Sequence, residues 1–173
     1  MLPPNPNEAL EFKAENLRTI YLAGGCFWGT DAYMARVYGV AITESGYANG
    51  HTDAPVTYET VCTGTTGTVE TVKVVYDITK ITLAHLLEQF FSITDLTTLN
   101  QQANDVGTQY RSGIYYIEDG DVHIIEAMLA REQQNLSRKI VTEIMPLKNY
   151  QAAEVYHQNY LEKNPDGYCH VVF

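Results

Sequence analysis

The stretch Gly24-Gly25-Cys26-Phe27-Trp28-Gly29 separates an apolar run, Thr19-Ile20-Tyr21-Leu22-Ala23, from a segment beginning Thr30-Asp31-Ala32 that reads as a helix to about Val37. A chain written this way must leave a buried strand and enter a helix through a tight turn, with a cysteine at the junction. The flanking glycines permit that turn and leave room for a ligand. The first N–H groups of a helix lack intrahelical partners and point outward with the positive end of its dipole. A cysteine there is favoured as thiolate, the reactive form. Phe27 and Trp28, the only tryptophan, add aromatic surface that could hold a small apolar group beside the sulfur. A single cysteine among aromatics is more often a small buried hydrophobe than a nucleophile, so the remainder of the chain has to decide.

The rest alternates between the two periodicities. Residues 1–17 are proline-rich, then polar, and read as a surface arm; residues 18–173 read as one domain. Val40 to Tyr47 is a second strand, and Ala48 to Pro55 carries turn residues around Asn49-Gly50. Thr57 to Cys62 is ambiguous between a short helix and an extended segment. Val69-Glu70-Thr71-Val72-Lys73-Val74-Val75-Tyr76 is a β-branched strand. Leu83, Leu86, Leu87 and Phe90 recur at helical spacing between Thr82 and Phe91. Ser92 to Tyr110 is long, polar and irregular, a length that usually signals function. Further on we expect a strand at 112–117, a helix from Val122 to Arg138, a strand at 141–145 and a helix from Gln151 to Leu161. A mobile tail is expected from about residue 162. The order predicts an α+β fold, a mainly antiparallel mixed sheet with helices packed on one face.

Composition narrows the function. With 173 residues and 45% hydrophobic residues the chain can bury one real core. A formal net charge of −10 argues against nucleic acid or an anionic membrane as partner. No apolar run is long enough to span a bilayer, and residues 1–7 do not resemble a secretory signal. Three cysteines do not make a disulfide scaffold, so a reducing, cytoplasmic setting and a monomer are expected. The five histidines lack zinc-ligand spacing, and no phosphate-binding or dinucleotide fingerprint is present.

Several short pieces nevertheless occur in a meaningful order. They are Gly25-Cys26-Phe27-Trp28, Ser45-Gly46-Tyr47-Ala48-Asn49-Gly50, Thr57-Tyr58-Glu59 and Val61-Cys62-Thr63-Gly64. Glu70 and Val74-Val75-Tyr76-Asp77 follow, then Asn104 to Ser112, Tyr156-His157-Gln158 and Tyr168-Cys169. Over residues 18 to 169 this set resembles the peptide methionine sulfoxide reductase A family. The resemblance implies a ferredoxin-like α/β plait, reduction of methionine S-sulfoxide to methionine, and no metal or organic cofactor. Electrons would come from thioredoxin, or from dithiothreitol in its place.

Chemistry explains the residue types that the resemblance carries over. A sulfoxide is a poor electrophile until its oxygen is protonated or strongly hydrogen-bonded, so a nucleophile, an acid and donors must converge. Cys26 is the implied nucleophile. Glu70, at the head of an apolar strand, is the implied acid, and burial there would raise its pKa. Tyr58 and Tyr110 are the implied phenol donors, and Asp105 the carboxylate that helps hold substrate. Phe27 and Trp28 would receive the S-methyl group. Reduction leaves a sulfenic acid on Cys26, which condenses with a thiol. Cys169, in the tail, is the implied resolving residue, giving a Cys26–Cys169 disulfide that thioredoxin reduces. Cys62 is expected to be buried and inert, and His157 to be structural, packing the approach of the tail.

Three positions depart from the family's common pattern: Thr68 and Val106, where histidine is frequent, and Asp31, where glutamate is usual. They bear on substrate preference and pKa tuning and remove no implied catalytic group. Two other classes remain open from sequence: a Cys-dependent peroxidase or hydrolase, and a non-enzymatic redox-sensing or sulfoxide-binding module.

Overall fold

The β-branched segment around Val72 becomes the centre of the molecule because both of its faces are covered. In the computed structural model, which describes residues 2–173, the elements follow in chain order. They are β1 (Leu17–Ala23), α1 (Phe27–Met34), β2 (Val40–Ala48), α2 (Tyr58–Cys62), β3 (Val69–Asp77) and α3 (Leu83–Ser92). Then come the short pair β4 (Gln101–Gln102) and β5 (Asp105–Val106), β6 (Gly113–Tyr116), α4 (Asp121–Gln133), β7 (Glu143–Pro146), β8 (Tyr150–Ala152) and α5 (Tyr160–Lys163).

Six strands form one sheet in the order β7-β6-β1-β3-β2-β8. All neighbours are antiparallel except β6 and β7. The central four, β6-β1-β3-β2, with α1 and α3 as crossovers, form the split β-α-β plait. Registers such as Leu22 opposite Val72 and Ile114 stack the apolar sets. Strand alternation then sorts side chains between two cores. Ile20, Leu22, Val72, Val74 and Ile114 meet Leu86, Leu87 and Phe90 of α3 and Ile125 and Leu129 of α4. On the other face Tyr21, Ala23, Val69 and Tyr115 are closed over by Met145, Leu147 and Tyr150. The Tyr21 and Tyr150 rings meet edge to face at 4.9 Å.

Two expectations change and one open reading is resolved. The helix from Val122 ends at Gln133, short of Arg138, because the Gln133 side chain holds the following loop. Its amide nitrogen donates to the Arg138 carbonyl at 3.0 Å, and its oxygen accepts from Ile140 N at 2.8 Å. The ambiguous segment 57–62 is helical, with Thr57 and Thr60 forming a reciprocal cap. The helix expected over 151–161 is instead β8, a 3₁₀ turn (Val155–His157) and the short α5. Its glutamines serve neighbouring backbone: Gln151 bonds both polar groups of Val56, and Gln158 both those of Ser45. Asn159, at φ 50°, breaks any continuous helix.

The N-terminal arm is also more firmly attached than its composition suggests. The Asn7 side chain donates to the carbonyls of Ala35 and Val37 and accepts from Gly39 N, each at 2.9 Å. This buried residue closes the turn from α1 to β2. Replacing it leaves those backbone groups without partners, which costs about 1–3 kcal/mol apiece. Asn7→Ala is expected to lower the unfolding free energy by roughly 2–4 kcal/mol in urea titration. A change under about 0.5 kcal/mol, the usual range for surface sites, would show that the arm is not part of the fold.

Candidate active site

The turn after β1 brings the cysteine to the head of a helix that is buried nearly all round. Gly25 has φ 84°, and a Cβ there would sit 2.5 Å from the Gln102 Cβ, so no other residue fits without moving that buried side chain. Cys26 is the N-cap of α1 and 7% exposed. The backbone N–H of Trp28 favours the thiolate, in the direction the helix-terminus argument anticipates, although the sulfur caps no helix N–H with a hydrogen bond. Burial, followed by the nearby Glu70, nonetheless pushes the thiol well above its ordinary range. Helix-terminus activation is therefore outweighed in the resting protein, and Cys26 is held as the thiol.

Glu70 stands opposite Tyr47 of β2 near the start of β3 and is 2% exposed. Its Oε2 accepts the Phe27 N–H at 3.1 Å, which places the carboxyl one peptide unit from the cysteine. Burial raises its pKa to about 8; the Asp105 charge adds to the rise and the Phe27 hydrogen bond opposes it. The carboxyl is protonated at neutral pH. When ionised, Glu70 would raise the pKa of Cys26, Tyr58 and Tyr110, which puts these expected site residues around it. Tyr58 opens α2, and its N–H donates to Glu154 Oε1 at 2.9 Å. Tyr110 ends a 3₁₀ turn (Thr108–Tyr110). Both phenols are raised, chiefly by burial, and so remain donors.

The other expected residues frame this centre. Asp105 lies on β5 and accepts the Tyr168 hydroxyl at 3.0 Å. Cys169 is half-buried against the first turns of α1, where a Cβ on Gly29 would come within 3.1 Å of its sulfur. Phe27 has no exposed surface and packs between Tyr47 and His157. Trp28 is half-buried, stacks on Tyr160 at 3.8 Å, and donates from Nε1 to His157 Nδ1 at 3.0 Å.

Two expectations require correction. Cys62 is exposed at the end of α2, because the five-residue helix turns its last residue outward. His157 is structural, but it packs beneath Trp28, Phe27 and Tyr58 and not against the tail. Sequence reasoning also passed over Glu154, which accepts from both Tyr58 N and the Tyr47 hydroxyl. No spacing rule singles it out, since its place depends on β8 joining the sheet edge. Of the departures, Thr68 bonds Thr66 at 2.6 Å, Val106 is 70% exposed, and Asp31 is buried with its pKa raised to about 6, mainly by burial.

A buried thiol beside a protonated carboxyl and two phenols, with a second thiol near by, defines a thiol oxidoreductase centre. The chain belongs to the peptide methionine sulfoxide reductase family, whose family model matches residues 18–173. It is 52% identical over 155 residues to the peptide methionine sulfoxide reductase MsrA of Clostridium perfringens, covering 90% of this chain and 98% of that relative. Its fold is similar to the crystal structure of Saccharomyces cerevisiae Mxr1 in reduced form, with a TM-score of 0.86 and 39% identity over 96% and 97% of the two chains. It is also similar to Mxr1 in complex with Trx2, with a TM-score of 0.62 and 28% identity over 88% and 91%.

The pKa of Glu70 has a thermodynamic consequence. Its folded value, about 8, lies above the ordinary 4.5, so between these the folded state binds more protons than the unfolded state. Stability therefore falls as pH rises through that window. From pH 5 to pH 9 the Glu70 contribution is a loss on the order of 4 kcal/mol. Glu70→Gln, compared with wild type by chemical denaturation at both pH values, should abolish most of this loss. Parallel pH dependence in the two proteins would mean that Glu70 is ionised in the native state.

Proposed function

We propose that this protein is a methionine S-sulfoxide reductase acting on the free amino acid or on oxidised polypeptide, with Cys26 as nucleophile. The observation that carries the reading is the protonated Glu70 carboxyl held one peptide unit from the Cys26 thiol. Glu70 donates a proton to the sulfoxide oxygen, while Tyr58 and Tyr110 donate hydrogen bonds to it. Asp105 helps hold the substrate, and the aromatic surface of Phe27 and Trp28 receives its methyl group. Cys26 sulfur attacks the substrate sulfur as its thiol proton passes to the Glu70 carboxylate left by that donation; the protonated oxygen passes to Cys26 and methionine leaves. The substrate sulfur is reduced by two electrons and Cys26 becomes a sulfenic acid.

Cys169 then forms a disulfide with Cys26 and releases the oxygen as water. A dithiol of the thioredoxin class reduces the disulfide and returns both thiols. The likeness to Mxr1 in complex with Trx2 supports that donor. No metal or organic cofactor enters this cycle. One chain supplies every group, which suits a monomer comprising the arm 1–17 and a catalytic domain 18–173. The small odd number of cysteines suits a reducing cytoplasm.

The deciding assay is methionine release from each sulfoxide epimer separately, with dithiothreitol as reductant. Release from the S epimer alone is expected, and release from neither by folded protein overturns the reading. Cys26→Ser should abolish turnover, and Glu70→Gln should lower kcat/KM by about 100-fold or more. Cys169→Ser should release about one equivalent of methionine and then stall with thioredoxin. Continued cycling would transfer the resolving role to Cys62.

A further inference from the structure

The residue after the resolving cysteine has an imidazole whose bonding pattern is incomplete. His170 Nε2 lies 3.1 Å from the carbonyl oxygen of Gly24, in the turn that delivers Cys26. A carbonyl can only accept, so Nε2 carries the hydrogen. Burial holds the ring below its ordinary pKa, against the opposing effects of the Gly24 bond and the Asp105 charge, so it is neutral. Nδ1 is therefore a bare lone pair, and that atom is buried with no hydrogen-bond partner. An unpartnered buried acceptor is costly, and the mechanism so far gives it no role.

Its neighbour needs a base. Burial also raises the pKa of the Cys169 thiol, so little thiolate exists at neutral pH, although only the thiolate attacks. Cys169 rests on the first turns of α1, with its sulfur donating to Val171 O at 3.4 Å. Tyr168 holds Asp105, and His170 holds Gly24. The tail is thus anchored on both sides of Cys169. The charged group acting on the imidazole is Asp105 on β5; Cys26 follows the Gly24-Gly25 turn that the ring bonds, and Tyr168 and Cys169 precede His170 on its own segment.

We propose that His170 is the general base of the resolving step, its Nδ1 taking the Cys169 thiol proton as the tail closes on Cys26. The proposal rests on the reading of Cys169 as the resolving residue. Cys169 sulfur forms the S–S bond to Cys26 as the S–O bond of the sulfenic acid breaks. The imidazolium returns its proton to the departing oxygen, which leaves as water, and the ring ends neutral. The sulfenic sulfur supplies the oxidising equivalent, so no external oxidant enters.

The test is a single-turnover experiment without reductant. It follows methionine release and Cys26–Cys169 disulfide formation separately, the latter by thiol titration and intact mass. His170→Gln keeps a donor able to reach the Gly24 carbonyl but supplies no base. At pH 7 its disulfide formation should slow about 100-fold relative to its methionine release. The residual rate should rise about tenfold per pH unit from 7 to 9 as the Cys169 thiol ionises, whereas wild type stays flat over that range. His170→Ala should be partly rescued by added imidazole. A wild-type rate and pH profile in His170→Gln, or no rescue of a folded His170→Ala, overturns the base assignment. Cys169→Ser run alongside separates the two claims: if it still loses its sulfenic acid to a disulfide, the resolving residue is misassigned.

Discussion

The hydrogen bond from Phe27 N–H to the Glu70 carboxyl ties the first turn of α1 to the central strand of the sheet. Its position is set by two independent constraints: the Gly24-Gly25 turn and the register that places Tyr47 opposite Glu70. A carboxyl buried here without a cation is held neutral, because desolvation of the charged form outweighs one backbone donor. The same desolvation keeps Cys26 as a thiol and the Tyr58 and Tyr110 phenols protonated. The resting site is thus a set of donors around a neutral pocket, suited to a polar, uncharged oxygen.

Around this centre, much of the architecture depends on side-chain amides and carboxylates that complete neighbouring backbone. Asn7 closes the turn between α1 and β2, Gln133 ends α4, and Gln151 and Gln158 satisfy segments beside β2. Glu154 accepts from Tyr58 N and the Tyr47 hydroxyl and lies 3.4 Å from His157 Nε2 without a hydrogen bond to it, linking α2 to β2 beside the aromatic platform. Apart from Gln133, which closes a local loop, these links hold segments far apart in sequence and complete backbone groups that the ladders leave unpaired. The three family departures lie outside the central bond. Thr68 is engaged by Thr66, Val106 faces solvent, and Asp31 is turned toward Thr43 and Asn159.

The tail is seated beside the site. Tyr168, His170 and Val171 seat it against Asp105, Gly24 and Gly29, and Phe173 reaches the Tyr33 ring at 6.0 Å. Each of these contacts is small, and the segment has no secondary structure. Such a segment belongs to the low-stability end of a fold, where local opening is least costly. That combination suits the resolving role proposed for Cys169, which would move onto Cys26.

Local chemistry in the sequence determined the strand–turn–helix around Cys26, the buried strand at Val69–Tyr76 and the helical face of Leu83, Leu86, Leu87 and Phe90. Each is specified by neighbours within a few residues, through glycine turns, β-branching or apolar spacing. The ordered motifs also named Glu70, Tyr58, Asp105, Tyr110 and Cys169. What sequence could not determine is any property set by a partner remote along the chain. The segment 151–161 has helical spacing, yet its glutamines bond β2 and Val56 instead. Cys62 sits in an apolar stretch and still faces outward. Only tertiary packing decided that Cys26 rests as a thiol, that Glu70 holds its proton, and that His170 carries a lone pair without a partner. Burial and hydrogen-bond partners set those states, and both come from segments brought together only by the fold.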